Sequence, residues 1–182
     1  MVPTYIAAST GTLDPPSPCA DCSRPSPTAS RRGSRLFTTL TTRLSQAPNE
    51  SGTRGSVLLL GSVTTTAPVP ELFATHGYAA AKGALTALMT SMAATYAADR
   101  IRVNLVAPSL TATPMARRAA DDPHILEYAR RKQPLAGEMM DPDEVAKAAI
   151  YFLSDESRVV TGQYLAVDGG WSVISTTAEP VP

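Results

Sequence analysis

Apolar positions are scattered through the first fifty residues and become orderly from Gly55 onward. Val57-Leu58-Leu59-Leu60 is an unbroken apolar run, which predicts a strand over 56–60 covered on both faces. A loop carrying Pro68 and Pro70 follows. Ala81, Leu85, Leu88, Met89, Met92 and Tyr96 then recur at helical spacing and predict a long helix over 78–98. Ile101-Arg102-Val103-Asn104-Leu105-Val106 reads as a second strand, stopped by Pro108. Residues 114–140 are more polar and predict one or two short helices. Asp141-Pro142-Asp143-Glu144 is a helix start, with Asp at the cap, Pro at the first position and Glu at the third. The helix it opens carries Val145, Ala149, Phe152 and Leu153. A third strand over 163–167 ends in Asp168-Gly169-Gly170. Strands alternating with helices imply an α/β fold with a parallel sheet of about three strands.

The remainder of the chain has no such order. Residues 1–34 interleave Pro15, Pro16, Pro18, Pro25 and Pro27 with Ser, Thr and Gly. This composition predicts a disordered or irregular tail. Residues 35–54 read as a weak helix and a connector: Leu36, Phe37, Leu40 and Leu44 share one side, but four threonines oppose the helix. Residues 176–182 form a short C-terminal tail, leaving 55–175 as the organised region.

Composition narrows the functional classes. Apolar residues make up 43% and charged residues 18%, and the formal net charge is zero. A neutral chain lacks the electrostatic footprint of a nucleic-acid binder. No apolar run reaches membrane-spanning length, and the N-terminus lacks the apolar core of a secretory signal. Cys19 and Cys22 do not make a disulfide scaffold, so a cytoplasmic location is the expectation.

One constellation points to chemistry. Tyr78 and Lys82 lie four residues apart on the predicted helix, so a phenol and an ammonium share a face. A phenol titrates near about 10, and a neighbouring positive charge favours the phenolate. Ser62 closes the first strand and offers a hydroxyl for a carbonyl or alcohol oxygen. Thr64, Thr65 and Thr66 are alternatives for that hydroxyl. His76 and His124 invite a hydrolase reading with Ser62, but no Gly-x-Ser-x-Gly elbow is present. Cys19 and Cys22 lack a second ligand pair for zinc. Arg117, Arg118, Arg130, Arg131 and Lys132 read first as a solvated face, and second as a lid meeting an anion. Met139 and Met140 read as hydrophobic filler.

Four features in order resemble the short-chain dehydrogenase/reductase family. They are the strand ending in Gly61-Ser62, Tyr78-Ala79-Ala80-Ala81-Lys82, Ile101 through Pro108 to Thr113, and Thr161-Gly162 with Val167-Asp168-Gly169-Gly170. The resemblance implies a partial Rossmann-like, doubly wound sheet and a cofactor that is NAD or NADP. It implies Tyr78 as general acid/base and, with Lys82, as a cofactor-binding residue, Lys82 lowering the pKa of Tyr78 and binding the nicotinamide ribose, and Ser62 polarising the substrate oxygen. Pro108, Leu110 and Thr113 would border the nicotinamide. The substrate would be a small alcohol or ketone. Homo-oligomers, dimers or tetramers, are common in the family, and Leu88, Met92 and Tyr96 would build such a contact.

The sequence departs from the family upstream. No Gly-x-x-x-Gly-x-Gly turn precedes Gly55, and no Asn occurs before Asn49. Such a chain is expected to be truncated or frame-disturbed and to leave the edge of strand 56–60 open. A non-catalytic remnant acting through partner contacts is then the rival reading. Ser109 stands where the family has Gly, which requires negative φ there.

Overall fold

The structure, a computed structural model, describes residues 4–7, 55–73 and 75–175. Its centre is a parallel sheet in the order β1-β2-β3-β4: Thr4–Ala7, Gly55–Leu60, Ile101–Pro108 and Tyr164–Val167. The three expected strands are present, and β1 is a fourth. It lies inside the segment read as an irregular tail, so that expectation is corrected for residues 4–7. Thr4-Tyr5-Ile6 suits a strand, but four residues are too few to show an alternating period. β1 pairs with β2 from Thr4↔Ser56 to Ala7↔Leu59, so β2 does not have the open edge that its sequence suggested. The proposed helix at 36–44, the remainder of the tail, and both cysteines lie outside the described residues.

Helix α1 spans His76–Tyr96, α2 Arg117–Ala120, α3 Pro123–Lys132 and α4 Pro142–Leu153. The side-chain period of two divides the sheet between them. Val57, Leu59, Ile101, Val103, Leu105 and Ala107 face one way, into a core shared with Met89, Met92 and Ala93 of α1 and Ala129 of α3. Leu58 and Val106 face the other way, onto Phe152 of α4, with Val145, Ala149 and Leu153 packed around them. Strands covered on both sides carry continuous apolar runs for this reason.

Leu88, Met92 and Tyr96 were expected at an oligomer contact. Met92 is buried, and Leu88 and Tyr96 pack against the core. Their apolar spacing follows the inward stripe of α1, with Leu88 and Tyr96 only partly covered by it.

Three polar residues of β2 and β3 are buried on the α4 side. Ser56 Oγ donates to the Phe152 carbonyl at 2.8 Å. Arg102 donates to the carbonyls of Phe152 (2.7 Å) and Ser154 (3.0 Å) and to Ser157 Oγ (2.5 Å). Asn104 donates to Val160 O at 2.9 Å and accepts from Gln163 N at 3.0 Å. These side chains satisfy the last carbonyls of α4 and the turn after it, groups that a helix leaves without partners. The start of α4 is as expected: the Asp141 side chain accepts from Asp143 N at 2.9 Å.

Gly61 shows how tightly the strand end is packed. A Cβ built there would stand 2.5 Å from Leu105 Cδ2, inside a filled core. Gly61→Ala is therefore expected to lower stability by about 1–3 kcal/mol, the range for overpacking. A urea unfolding midpoint equal to that of the parent chain would contradict this.

Candidate active site

The site is built at the carboxyl ends of β2 and β3. Gly61 N donates to Val106 O at 2.8 Å, which carries the sheet pairing one step past β2. Ser62 follows, buried, with extended backbone. The chain then turns through a short 3-10 segment, Val63–Thr65. Ser62 Oγ caps that turn by accepting from Thr64 N at 3.3 Å, and it also lies 3.0 Å from Thr64 Oγ1. Thr65 and Thr66 direct their hydroxyls at the turn's own carbonyls, Ser62 O and Val63 O. Those two threonines are committed to the turn, which leaves Ser62 and Thr64 as the hydroxyl pair.

Tyr78 sits in the first turn of α1 and is 39% exposed, so its phenol is open to solvent. One turn on, Lys82 reaches back to the sheet, and its Nζ donates to Leu60 O at 2.8 Å. The same Nζ stands 5.6 Å from the centre of the Tyr78 ring. The structure thus brings the sequence pair together and ties it to the strand end two residues before Ser62. Burial pushes the Lys82 ammonium below its ordinary value of 10.5. One of its three protons is used on Leu60, and two remain for other acceptors.

The loop after β3 forms the neighbouring wall. Ser109 keeps a negative φ; Arg100 is the non-glycine residue with positive φ among those described. Leu110 is half-buried against the core, and its carbonyl accepts from Met140 N at 2.9 Å. Ala112 N donates to Met140 O at 2.9 Å, so the loop and Met140 run side by side. Thr113 is exposed, and its hydroxyl makes no capping bond. Met140 is buried filler, as its sequence suggested.

The basic cluster separates into two kinds of residue. Arg130 pairs with Glu127 and Glu138, Arg131 lies 3.8 Å from Glu127, and Lys132 donates to Ile174 O. Arg117 and Arg118 are exposed on α2. His76 and His124 are exposed on different helices, and among the described residues the side-chain bonds of Ser62 go to Thr64 and not to either histidine.

Three further residues build the site's surroundings; Asp168 was named from the sequence only as part of the Asp-Gly-Gly turn, and Trp171 and Gln133 were not singled out. Trp171 is buried, donates to Ala67 O at 3.4 Å, and meets the rings of Phe73 and Tyr128 at 6.3 and 5.7 Å. It fastens the loop after Ser62 to α3. Asp168 folds the final turn by accepting from Gly170 N (3.0 Å), Ser172 N (2.9 Å) and Ser172 Oγ (2.5 Å). Gln133, fully buried, donates to Leu110 O and Glu138 O. A lone tryptophan near a Gly-Gly turn was a readable signal; a glutamine at a helix end was not.

Comparison with known proteins identifies the family. A short-chain alcohol dehydrogenase family model, described as enoyl-(acyl carrier protein) reductase, matches residues 34–172. A 2,5-dichloro-2,5-cyclohexadiene-1,4-diol dehydrogenase of Sphingobium indicum is 41% identical over 127 residues, covering 69% of this chain and 49% of the relative. A galactitol 2-dehydrogenase (L-tagatose-forming) of Cereibacter sphaeroides is 37% identical over 65% of this chain and 46% of its own length. Among solved structures, a gluconate 5-dehydrogenase of Burkholderia cenocepacia in complex with NADP and tartrate superposes with a TM-score of 0.70 at 25% identity. That match covers 93% of this chain and 65% of the other. The chain spans about half the length of the curated relatives it matches. Its ordered motifs, its parallel sheet and the matched family model agree: this chain belongs to the short-chain dehydrogenase/reductase family.

Proposed function

We propose that the chain is an NAD(P)-dependent oxidoreductase that interconverts a small-molecule alcohol and its ketone, with Tyr78 moving the proton. The observation carrying this reading is the Lys82 ammonium, half-buried, hydrogen-bonded to the end of β2 and facing the ring of an exposed Tyr78. The dehydrogenase activities of the relatives support the reaction class, and the NADP in the gluconate 5-dehydrogenase complex supports the cofactor class.

The described residues fit the nicotinamide end of such a cofactor. Lys82 has two protons free for ribose hydroxyls, Thr113 has an uncommitted hydroxyl, and Ser109 Oγ is buried without a partner. Pro108 and Leu110 would supply the apolar border. Among the described residues no helix opens on a Gly-x-x-x-Gly-x-Gly turn, so no residue is assigned to the pyrophosphate or the adenosine. When bound, the nicotinamide supplies hydride transfer.

The protein's own work is then proton transfer and orientation. Ser62, with Thr64 beside it, donates to the substrate oxygen and holds it toward the phenol. Tyr78 gives its proton to that oxygen when the ketone is reduced and takes it back when the alcohol is oxidised. Lys82 stabilises the phenolate, and the exposed phenol lets solvent restore the proton. The enzyme acts in the cytoplasm as a homo-oligomer, through the small-residue outer face of α1 (Ala80, Ala84, Ala87, Ser91) rather than its apolar stripe.

Calorimetric titration with NADH and NADPH tests this reading. Micromolar binding of one of them is expected, and no heat at millimolar cofactor would remove it. A rival has one observation in its favour: Ser62 Oγ is engaged with Thr64 rather than free. Under that rival the chain is a non-catalytic relative acting through partner contacts, and it would fail the same titration.

Activity should also report on Lys82. Its ammonium is needed for the phenolate, and burial lowers its pKa from 10.5. Turnover is therefore expected to fall with rising pH below the range where an exposed lysine titrates. Across that window the unfolded chain binds more protons at this site than the folded one, so this group adds stability as pH rises. An alkaline limb at or above 10.5 would contradict the assignment.

A further inference from the structure

Gln133 ends α3 and has no exposed surface. Its backbone is fully engaged: N donates to Ala129 O at 2.7 Å, and O accepts from Ala136 N (2.9 Å) and Gly137 N (3.0 Å). Its side-chain Nε2 donates to Leu110 O at 3.1 Å and to Glu138 O at 3.2 Å. Both neighbours are acceptors, so the amide orientation is fixed by chemistry. The cost of that orientation is visible on the other atom: Oε1 is buried with no partner. An orphaned buried acceptor destabilises a fold, and a methionine of similar length would carry no such penalty. What the amide adds over methionine is its two donor hydrogens. They join the loop after β3 to the turn at Glu138, which otherwise meet through Met140.

We propose that Gln133 is a positioning residue that sets the loop 108–113 at the nicotinamide end of the site. Its clamp ties that loop to the turn 133–138, so that a displacement of either is transmitted to the other. Gln133 touches no reacting atom; it acts through Leu110 and, beyond it, Thr113. The catalytic meaning of the clamp rests on the function proposed above, but the clamp itself does not.

Two variants of the full chain test it, Gln133→Met and Gln133→Glu, read by amide hydrogen exchange and by NADH and NADPH affinity. Gln133→Met removes both donors and the orphaned oxygen. Protection at the Ala112 and Met140 amides is expected to fall about tenfold, the equivalent of one hydrogen bond. Protection at Val103 and Leu105 in the sheet should stay unchanged, and cofactor Kd should rise by a similar factor. Gln133→Glu puts a carboxyl against two carbonyl oxygens, and burial there raises its pKa, so it keeps one donor hydrogen until it ionises. Its loop should loosen as pH rises through that raised pKa and tighten again on acidification, when the carboxyl regains its donor hydrogen. A merely structural role predicts no such recovery.

Unchanged protection at Ala112 and Met140 would overturn the proposal. So would a loss of protection extending equally into β3, or a loosened loop with unaltered affinity in a chain whose parent binds cofactor. If the parent binds no cofactor, the function proposed above fails. A local, pH-reversible loosening in Gln133→Glu would then still support the clamp.

Discussion

Tyr78→Phe is expected to lower turnover by about 10²–10⁴-fold, the range for losing a positioned general acid/base. The same change should leave stability within about 0.5 kcal/mol, as for an exposed side chain away from special contacts. Tyr78 is 39% exposed, so loss of its hydroxyl opens no cavity in the core. The ring that faces Lys82 at 5.6 Å remains in phenylalanine. Cofactor affinity should therefore be retained while the chemical step fails. Steady-state rates with calorimetry on the same preparation separate the two. Unchanged turnover would remove Tyr78 from the mechanism, and lost affinity with normal turnover would give it a binding role instead.

Arg102→Ala is expected to cost about 3 kcal/mol or more of folding stability. Arg102 is 5% exposed, and its guanidinium donates to two carbonyls and a hydroxyl around the end of α4. Hydrogen bonds to a charged group are worth about 1.5–3 kcal/mol each, and truncation also empties a packed volume. Several terms oppose this. Burial pushes the arginine pKa down, Nε has no partner, and the Phe152 carbonyl keeps its bonds from Ser56 and Ser157. The net is therefore far less than the sum of three bonds. The positive charge also lies at a helix C-terminus, where the backbone dipole favours it. Lysine is not a substitute, because one ammonium on a flexible stem cannot match a planar fork. Denaturant unfolding measures the loss; a change under about 1 kcal/mol would mean that these contacts contribute little net stability.

The sequence made plain those features whose causes are local. The run Val57–Leu60 is continuous because both faces of β2 are covered, and the start of α4 is written in Asp141 and Pro142. Tyr78 and Lys82 could be paired by helical spacing alone. What stayed hidden depends on distant partners. Lys82 finds Leu60, and Gln133 finds Leu110, across 22 and 23 residues. Arg102 and Asn104 alternate with apolar residues and so resemble a strand half open to water; α4 and its following turn enclose them. Leu88, Met92 and Tyr96 gave the right period, and only the fold decides whether that stripe faces a core or a neighbour. β1 escaped because four residues between Pro3 and Ala8 carry too little pattern to rise above their surroundings.

Trp171 gives the chain a property of a different kind. It is the single tryptophan, and its indole is held between Phe73, Tyr128 and the carbonyl of Ala67. Those contacts come from the loop after Ser62 and from α3, the segments flanking the strand ends where the candidate site is built. A shift of either changes the polarity and the quenching around one emitter, with no second indole to obscure it. Opening and closing of this corner can thus be followed by intrinsic fluorescence in the unlabelled protein, at millisecond resolution and without a substrate in hand.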